Sequence, residues 1–304
     1  MPVRRLLQTP YCLAAAPRVA HKNKEEREEE QRMLLEPLII GELALLGTVT
    51  GFLAGLLGIG GGMIMVPFIT LILSARGVAP DLSVKMAIAT SMASIIFTSV
   101  SSVRAHHKRG TVRWDVVRRM APGIVAGSLV GSLGVFAMVK GSWLALFFAA
   151  FIGFSATQMF LDKKPQASRQ MPGPVGQFAA GGGIGFLSGL VGAGGGFISV
   201  PFMTWCNIAI HNAVATSAAL GFPIAVFNVI GYALAGHTLT GLPTGSFGYI
   251  WLPGLAVLAG ASVLTAPLGA RAAHALPVRT LKKVFASVLY LLAAYMAYKG
   301  ATII

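Results

Sequence analysis

Long apolar stretches alternate with short polar segments from Pro37 to the end of the chain. A helix needs about 20 apolar residues to cross a bilayer. Runs of this kind occupy residues 38–57, 86–103, 120–139, 143–161, 178–192, 213–235, 248–270 and 284–298. Two shorter apolar pieces, 63–74 and 197–210, follow the first and fifth runs across glycine clusters. The pattern predicts an all-α polytopic membrane protein with about eight hydrophobic segments.

The composition agrees with this pattern. Hydrophobic residues make up 55% of the chain and charged residues 11%, whereas soluble domains carry about 25% charged residues. From Gln170 to Ala270 there is no Asp, Glu, Lys or Arg. A soluble domain could not cover its surface with such a stretch, so a soluble fold is excluded.

An internal repeat divides the apolar part of the chain. Residues 51–69 recur as residues 185–203, with thirteen of nineteen positions identical and no gap. The motif Ala-Ile-Ala-Thr-Ser at 87–91 recurs as Ala-Val-Ala-Thr-Ser at 213–217. Self-similarity of this kind indicates duplicated structural units. The predicted domains are a first transmembrane repeat over 37–171 and a second over 172–304.

The net charge of +14 is concentrated in short clusters between the apolar runs. The clusters at 104–119, 162–169 and 271–283 are expected in the cytoplasm by the positive-inside rule. Because no basic helix face with interleaved aromatic residues occurs in the sequence, nucleic acid is not an expected partner. Tryptophans at the predicted span ends, where interfacial residues are expected, are Trp114, Trp143, Trp205 and Trp251.

This charge distribution predicts that the two repeats are inverted relative to each other. Run 86–103 enters from outside, whereas its counterpart 213–235 leaves from the cytoplasm. Each half then needs an odd number of crossings, which a glycine-broken re-entrant hairpin plus three transmembrane helices provides. The N-terminus is then outside. If run 38–57 instead crosses alone, the N-terminus is in the cytoplasm.

The polar N-terminal extension, residues 1–36, differs from the rest of the chain. Residues 1–24 contain basic residues and no acid, as organelle-targeting presequences do, and an acidic run follows at 25–30. An ordinary polar tail is the alternative. The expected location is the cell inner (plasma) membrane, or an organellar membrane if the extension is a targeting sequence.

The glycine clusters at the predicted hairpin tips are the main candidates for a binding site. They are Gly60, Gly61 and Gly62 in the first half and Gly194, Gly195 and Gly196 in the second. Consecutive glycines break a membrane helix, and the freed backbone groups must face protein or a water-filled cavity. Short helices beginning near Met63 and Phe197, with Pro67 and Pro201 in about their first turn, would aim unpaired N–H groups at this point. Two such N-termini near the midplane can bind an anion.

Close helix packing is the other common role of glycine in membranes. It is the expected role of the ladders Gly51/Gly55, Gly123/Gly127/Gly131 and Gly181/Gly185/Gly189.

Hydroxyl and amide side chains near the repeat motifs are further candidates. Thr90 and Ser91 match Thr216 and Ser217 in the second repeat, which favours contact with a substrate. Hydrogen bonding to the carbonyl four residues earlier is the alternative. Weaker candidates on the same two helices are Ser94, Thr98 and Asn228, of which Asn228 could instead hydrogen-bond between helices.

An enzyme is difficult to build from these residues. Glu42, at the edge of the first run, is the only carboxylate in a predicted span, and general acid–base catalysis needs positioned titratable groups. Metal-ligand spacings are absent from the sequence, and its two cysteines cannot form a metal cage alone. We therefore expect no catalytic residue, metal or cofactor. The lack of buried carboxylates also argues against a cation pathway.

The paired glycine-rich stretches and Ala-x-Ala-Thr-Ser motifs resemble the sulfite exporter TauE/SafE family of membrane permeases. The resemblance extends from about residue 37 onward. It implies transport of sulfite, sulfonates or related organosulfur anions, mostly outward. By position it also implies a binding site at Gly60–Gly62, Gly194–Gly196, Pro67, Pro201, Thr90, Ser91, Thr216 and Ser217. The charged extension is not part of the family pattern.

The expected function is therefore an anion permease that exports its substrate by alternating access. The expected partners are a small anionic substrate and the lipid bilayer, and a homodimer remains open. One alternative is a proton-coupled importer of organic anions that uses His106 or His107. The other is a non-transporting membrane scaffold or assembly factor, in which the glycines serve packing alone.

Overall fold

The computed structural model describes residues 37–58, 61–161, 169–239, 242–273 and 278–303. The extension 1–36, with its predicted targeting role, and Gly60 lie outside the described residues. Ten helices follow one another: α1 (Pro37–Leu57), α2 (Gly62–Ala75), α3 (Pro80–His107), α4 (Trp114–Met138), α5 (Gly141–Leu161), α6 (Pro174–Val191), α7 (Gly196–Trp205), α8 (Ile210–Gly236), α9 (Leu252–Ala272) and α10 (Val278–Ile303). Two short antiparallel strands, β1 (Ser246–Phe247) and β2 (Ile250–Trp251), precede α9.

Seven of these described helices are long and apolar enough to cross a membrane. They are α1, α3, α4, α5, α8, α9 and α10. Each predicted apolar run corresponds to a helix, and the two shorter pieces form α2 and α7. The predicted all-α polytopic membrane fold is confirmed.

Helix α3 begins six residues before the predicted run because hydropathy detects only its apolar part. Its first turns contain Asp81, Ser83 and Lys85. Pro80 occupies the first turn, where a missing N–H costs nothing. The Asp81 carboxylate accepts a hydrogen bond from the Ser142 N–H at the start of α5, at 2.9 Å. The helix therefore continues beyond its apolar stretch.

Glycine ladders join the two halves of the chain. On α1, Gly51 and Gly55 face the backbone of α9 so closely that a Cβ on either would overlap it. On α4, Gly123 and Gly127 approach the backbone of α6 in the same way. The ladders thus pack helices, as expected, and each pair joins one repeat to the other.

The contacts along these pairs also give the helix directions. Gly47 lies beside Leu258 and Gly55 beside Ala266, so α1 and α9 are parallel. Similarly, α4 is parallel to α6, with Gly123 beside Phe178 and Gly131 beside Phe186.

The two central helices follow the same two directions. Helix α3 is parallel to α9, since Thr98 bonds Ser262 and Arg109 bonds the Ala270 carbonyl. Helix α8 is parallel to α4, since Thr216 bonds Arg113 and Gly231 meets Ser132. The short 108–113 connection reverses the chain between α3 and α4. Helices α1, α3 and α9 thus run one way, and α4, α6 and α8 the other.

Helices α3 and α8 form the centre of the molecule. In their most apolar stretches 72% and 61% of residues are buried, compared with 33–44% in the other five candidate spans. Both central helices carry the repeated Ala-x-Ala-Thr-Ser motif. The candidate hydroxyls therefore lie in the core.

One tryptophan expectation is wrong. Trp114, Trp143 and Trp205 are partly exposed, as interfacial residues would be, but Trp251 is completely buried. Its indole ring packs on Gly254, where a Cβ would overlap the ring. Trp251 is a core residue because the β1–β2 hairpin holds it inside the start of α9.

The glycine ladders predict a position-dependent response to a single added methyl group. Gly127→Ala should destabilise the protein by about 1–3 kcal/mol, because the methyl would overlap the Gly182 carbonyl. Gly260→Ala on α9 is the matched control, because nothing lies within 4 Å of its Cβ position. The control should keep or slightly raise stability, since alanine favours a helix. Melting temperatures of the purified variants measure the difference, and equal values would contradict this packing.

Candidate functional site

Two glycine turns interrupt the chain at matched positions of the two halves. Gly58 and Gly61 have φ values of 68° and 70°, and Gly192 and Gly195 have 71° and 74°. Residues with a Cβ rarely adopt this left-handed conformation. The paired glycines thus end α1 and α6 and start α2 and α7. We call Gly58, Gly61 and Gly62 tip 1 and the turn 192–196 tip 2.

Both tips end at a helix N-terminus. In α2 the N–H groups of Ile64 and Met65 donate to the Gly61 carbonyl, and in α7 those of Ile198 and Ser199 donate to the Gly195 carbonyl. The amides before them have no carbonyl one turn earlier within the helix. Each N-terminus therefore carries N–H groups without a partner in their own helix and a partial positive charge, although the Gly195 N–H donates to the Ala193 carbonyl at 2.8 Å. Pro67 and Pro201 lie inside these helices, in the second turn.

Serines on the central helices bind the tips reciprocally. The Ser91 hydroxyl on α3 donates to the Gly192 carbonyl of tip 2 at 3.1 Å. The Ser217 hydroxyl on α8 donates to the Gly58 carbonyl of tip 1 at 3.0 Å. Each half thus holds the tip of the other half.

The tips are also brought into contact with each other. A Cβ on Gly62 would overlap the Gly192 carbonyl and would lie 3.1 Å from the Ser91 hydroxyl. Gly58 rests on Val214 of α8, and Gly192 rests on the matching Ile88 of α3. Gly194, Gly195 and Gly196 are buried, as are Gly61 and Gly62. The two glycine clusters therefore form one closed region.

The neighbouring threonines have a different partner. Thr90 accepts a hydrogen bond from the Trp251 N–H, and Thr216 accepts one from the Arg113 N–H, both at 3.0 Å. These N–H groups immediately precede α9 and α4. Neither of these partners is the carbonyl four residues earlier. In this conformation each hydroxyl bonds a connecting segment of the other repeat.

The remaining candidates lie farther along α3 and α8. Thr98 bonds the Ser94 carbonyl at 3.0 Å and the Ser262 hydroxyl at 2.8 Å. Asn228 donates to the Ile224 carbonyl at 2.8 Å, within its own helix. The Ser94 hydroxyl and the Asn228 carbonyl oxygen are buried without a protein partner among the described residues. Both are therefore available for a ligand or water.

Two serines near the tips were not identified from the sequence. Ser199 on α7 donates to the Ser217 hydroxyl at 2.9 Å, and the Ser188 hydroxyl lies 3.1 Å from a Cβ position on Gly195. In the first repeat, Met65 is the counterpart of Ser199 and Ala54 is the counterpart of Ser188. A polar residue opposite an apolar one in an otherwise identical repeat is the signal that could have found them.

The site is buried and uncharged. Thr90, Ser91, Ser94, Thr216, Ser217 and Asn228 are each 0% exposed. Among the residues with described burial, no Asp, Glu, Lys or Arg belongs to the buried set. Nor does the described part of the chain contain a group of three His, Cys, Asp or Glu placed to hold a metal. Neutral hydroxyls and backbone groups are thus the polar chemistry around the tips.

Comparison with known proteins identifies relatives over most of the chain. Residues 43–296 match the sequence model of a family described as "Sulfite exporter TauE/SafE". A "Probable membrane transporter protein" of Haemophilus influenzae is 36% identical over 256 residues, which cover 84% of this chain and 97% of the relative. Probable membrane transporter proteins of Bacillus subtilis and Methanocaldococcus jannaschii are each 26% identical and are each covered to 97%, over 85% and 88% of this chain. No solved structure gives a significant match.

The reciprocal serines predict matched losses of stability. Ser91→Ala and Ser217→Ala should each cost about 1–3 kcal/mol, because each leaves a buried tip carbonyl without its partner. Ser287→Ala is the control, because its exposed hydroxyl bonds a carbonyl within the same helix and its loss should change stability by less than about 0.5 kcal/mol. Thermal unfolding of the purified proteins provides the comparison. If the three variants unfold at one temperature, the serines do not hold the tips.

Proposed function

Because this chain belongs to the sulfite exporter TauE/SafE family and is a membrane transporter, we propose that it exports sulfite, a sulfonate or a related organosulfur anion. The substrate class comes from the family description. The relatives and the seven apolar helices place the protein in the membrane, in agreement with the plasma-membrane expectation.

The convergence of the two tips is the observation that carries this proposal. Helix α2 starts at Gly62, which contacts Gly192 of tip 2, and α7 starts four residues after Gly192, at Gly196. Their unpaired N–H groups and partial charges favour an anion without a lysine or arginine. Because the Gly192 carbonyl fills the space beside Gly62 in this conformation, the two tips would have to separate before a solute could reach these backbone groups. The proposed ligands are the amides at Gly60–Gly62 and Gly194–Gly196, supplemented by hydroxyls of the central helices.

The hydroxyls would have to exchange partners when a substrate binds. Ser91 and Ser217 donate to tip carbonyls, whereas Ser94 and Asn228 have buried polar atoms without a protein partner among the described residues. An oxyanion accepts hydrogen bonds, so hydroxyls released from the carbonyls become donors to it. Ser94 can donate without giving up a bond. Thr90 and Thr216 can take part only if the connecting segments move.

The absence of buried charge among the described residues supports an anion as the substrate. Cation and proton pathways through membranes normally contain Asp or Glu side chains. Export of one negative charge from a cell with a negative interior gains about 2.3 kcal/mol per 100 mV. Outward flux would therefore need neither ATP nor a coupled ion.

The helix directions support inverted repeats. The first and fourth helices of one half, α1 and α4, run opposite to their counterparts α6 and α9 in the other. If the cationic segment 104–119 is cytoplasmic, α3 starts outside, and α1, which is parallel to it, starts outside as well. The closed tips then represent an occluded state. Movement of the halves would open the site alternately to each side.

Flux through reconstituted protein tests this proposal. Proteoliposomes should show saturable sulfite or sulfonate flux that follows an imposed membrane potential. Gly61→Leu and Gly195→Leu should lower the flux more than about tenfold, because a side chain would press on Thr50 and Ile224, respectively, and strain the turn. Gly77→Leu has the same left-handed strain in open space and should retain flux. Absence of saturable flux, or equal flux in all three variants, would count against a site at the tips.

The proton-coupled alternative makes a different prediction. His106 lies buried with Nε2 3.3 Å from the Gly55 carbonyl, and His107 accepts a hydrogen bond from the Trp114 indole at 3.1 Å. We expect His106→Gln and His107→Gln to leave the response of flux to a pH gradient unchanged at fixed potential. Proton-driven uptake that disappears in either variant would favour the importer. Melting temperatures show whether a loss of flux reflects misfolding.

A further inference from the structure

A groove of about 420 Å³ lies between the C-terminal parts of α3 and α9, away from the tips. One part of its lining is apolar and includes Phe97, Val100 and Val263. The other part is cationic and includes Arg104, Lys108 and Arg271. The lining therefore changes from apolar to positive along the two helices.

The cationic end is exposed and lacks a carboxylate partner. Arg104, Lys108 and Arg271 are all exposed, and none forms a salt bridge among the described residues. The described carboxylate nearest in sequence, Asp115, is paired with Arg113 at 2.8 Å. Four cations, these three and Arg109, thus line one end of the groove without a counter-charge from the described protein.

The helices that form the groove are fixed to each other. The Ser101 hydroxyl donates to the Val263 carbonyl at 2.9 Å, and the Arg109 guanidinium donates to the Ala270 carbonyl at 3.0 Å. These two bonds lie at different levels along the α3–α9 contact. The groove is therefore built into the helix pair.

The apolar end faces outward at the level of the membrane interior. Phe97 is 48% exposed, and the neighbouring Leu264 and Leu268 of α9 are 75% and 52% exposed. From Phe97 to Lys108, a helix rises about 16 Å. Over this length the lining changes from apolar to cationic, in the same order as the acyl chain and the phosphate of a phospholipid.

The repeat shows that the fold does not require these cations. Arg104 near the end of α3 and Lys108 and Arg109 just after it correspond to Ile230, Leu234 and Ala235 on α8. The second repeat forms the matching helix with uncharged residues. The cations are therefore not needed to form the helix; the positive-inside rule accounts for their side of the membrane, and the groove places them beside an apolar wall.

We propose that the groove binds an anionic phospholipid. Its phosphate lies against Arg104, Lys108 and Arg271, and one acyl chain lies along Phe97, Val100 and Val263. Basic pockets between transmembrane helices bind anionic head groups through charge, while the apolar wall excludes water from the chain. If 104–119 faces the cytoplasm, the lipid belongs to the inner leaflet.

Lipid-dependent thermal stability of the full-length protein in a neutral detergent tests this site. Phosphatidylglycerol should raise the melting temperature saturably. Phosphatidylcholine with the same acyl chains should not, and neither should inorganic phosphate, which lacks the chain. Equal stabilisation by phosphatidylcholine would overturn charge recognition. Equal stabilisation by inorganic phosphate would show a site for a free anion instead of a lipid.

Variants connect the effect to the groove. The triple change Arg104→Gln, Lys108→Gln and Arg271→Gln should weaken the apparent affinity for phosphatidylglycerol about a hundredfold, at about fivefold for each cation. The control triple Arg118→Gln, Arg119→Gln and Lys283→Gln removes the same charge from exposed positions outside the groove and should keep the affinity. An equal loss of affinity in both triple variants would mean that the net charge of the protein, and not the groove, explains the binding. If the first triple does not fold, Arg271→Gln alone should still give the fivefold change, and an unchanged affinity would refute the site.

Discussion

Backbone groups in a membrane must find partners within the protein, because hydrocarbon offers none. The two glycine turns end helices α1 and α6, so carbonyls at these ends have no partner within the helix. Serines of the central helices supply the missing hydrogen bonds. Ser91 pairs with the Gly192 carbonyl and Ser217 with the Gly58 carbonyl. Since each serine belongs to the opposite repeat, neither half can satisfy its tip alone. The arrangement of the whole molecule follows from this exchange.

The glycine ladders make the exchange geometrically feasible. Helix α1 reaches α9, and α4 reaches α6, only because their interfaces lack side chains at Gly55 and Gly127. This close approach interleaves the halves and leaves α3 and α8 in the middle, where their hydroxyls meet the tips. Packing glycines and turn glycines thus have separate roles. The ladder glycines bring helix backbones together, and the tip glycines end one helix before the next begins.

The sequence predicted the parts of the structure that depend on local pattern. The apolar runs located the helices, and the repeat located both tips. In the structure Gly61 and Gly195 of these tips have left-handed φ values. It could not assign partners across the fold. The Thr90 bond to the segment before α9 spans 161 positions, and nothing near Thr90 in the sequence encodes it. The burial of Trp251 was missed because the sequence placed this residue inside an apolar run, whereas it lies in strand β2 of the short hairpin before α9.

Ser199 adds a second hydroxyl behind Ser217, whereas its counterpart in the first repeat is Met65. One tip is therefore secured by a relay of two hydroxyls and the other by a single serine. The hydrogen bonds that hold the two tips are therefore not equivalent. The duplication supplied a nearly symmetric frame, and one methionine-to-serine difference gives its two tips unequal numbers of hydroxyl groups.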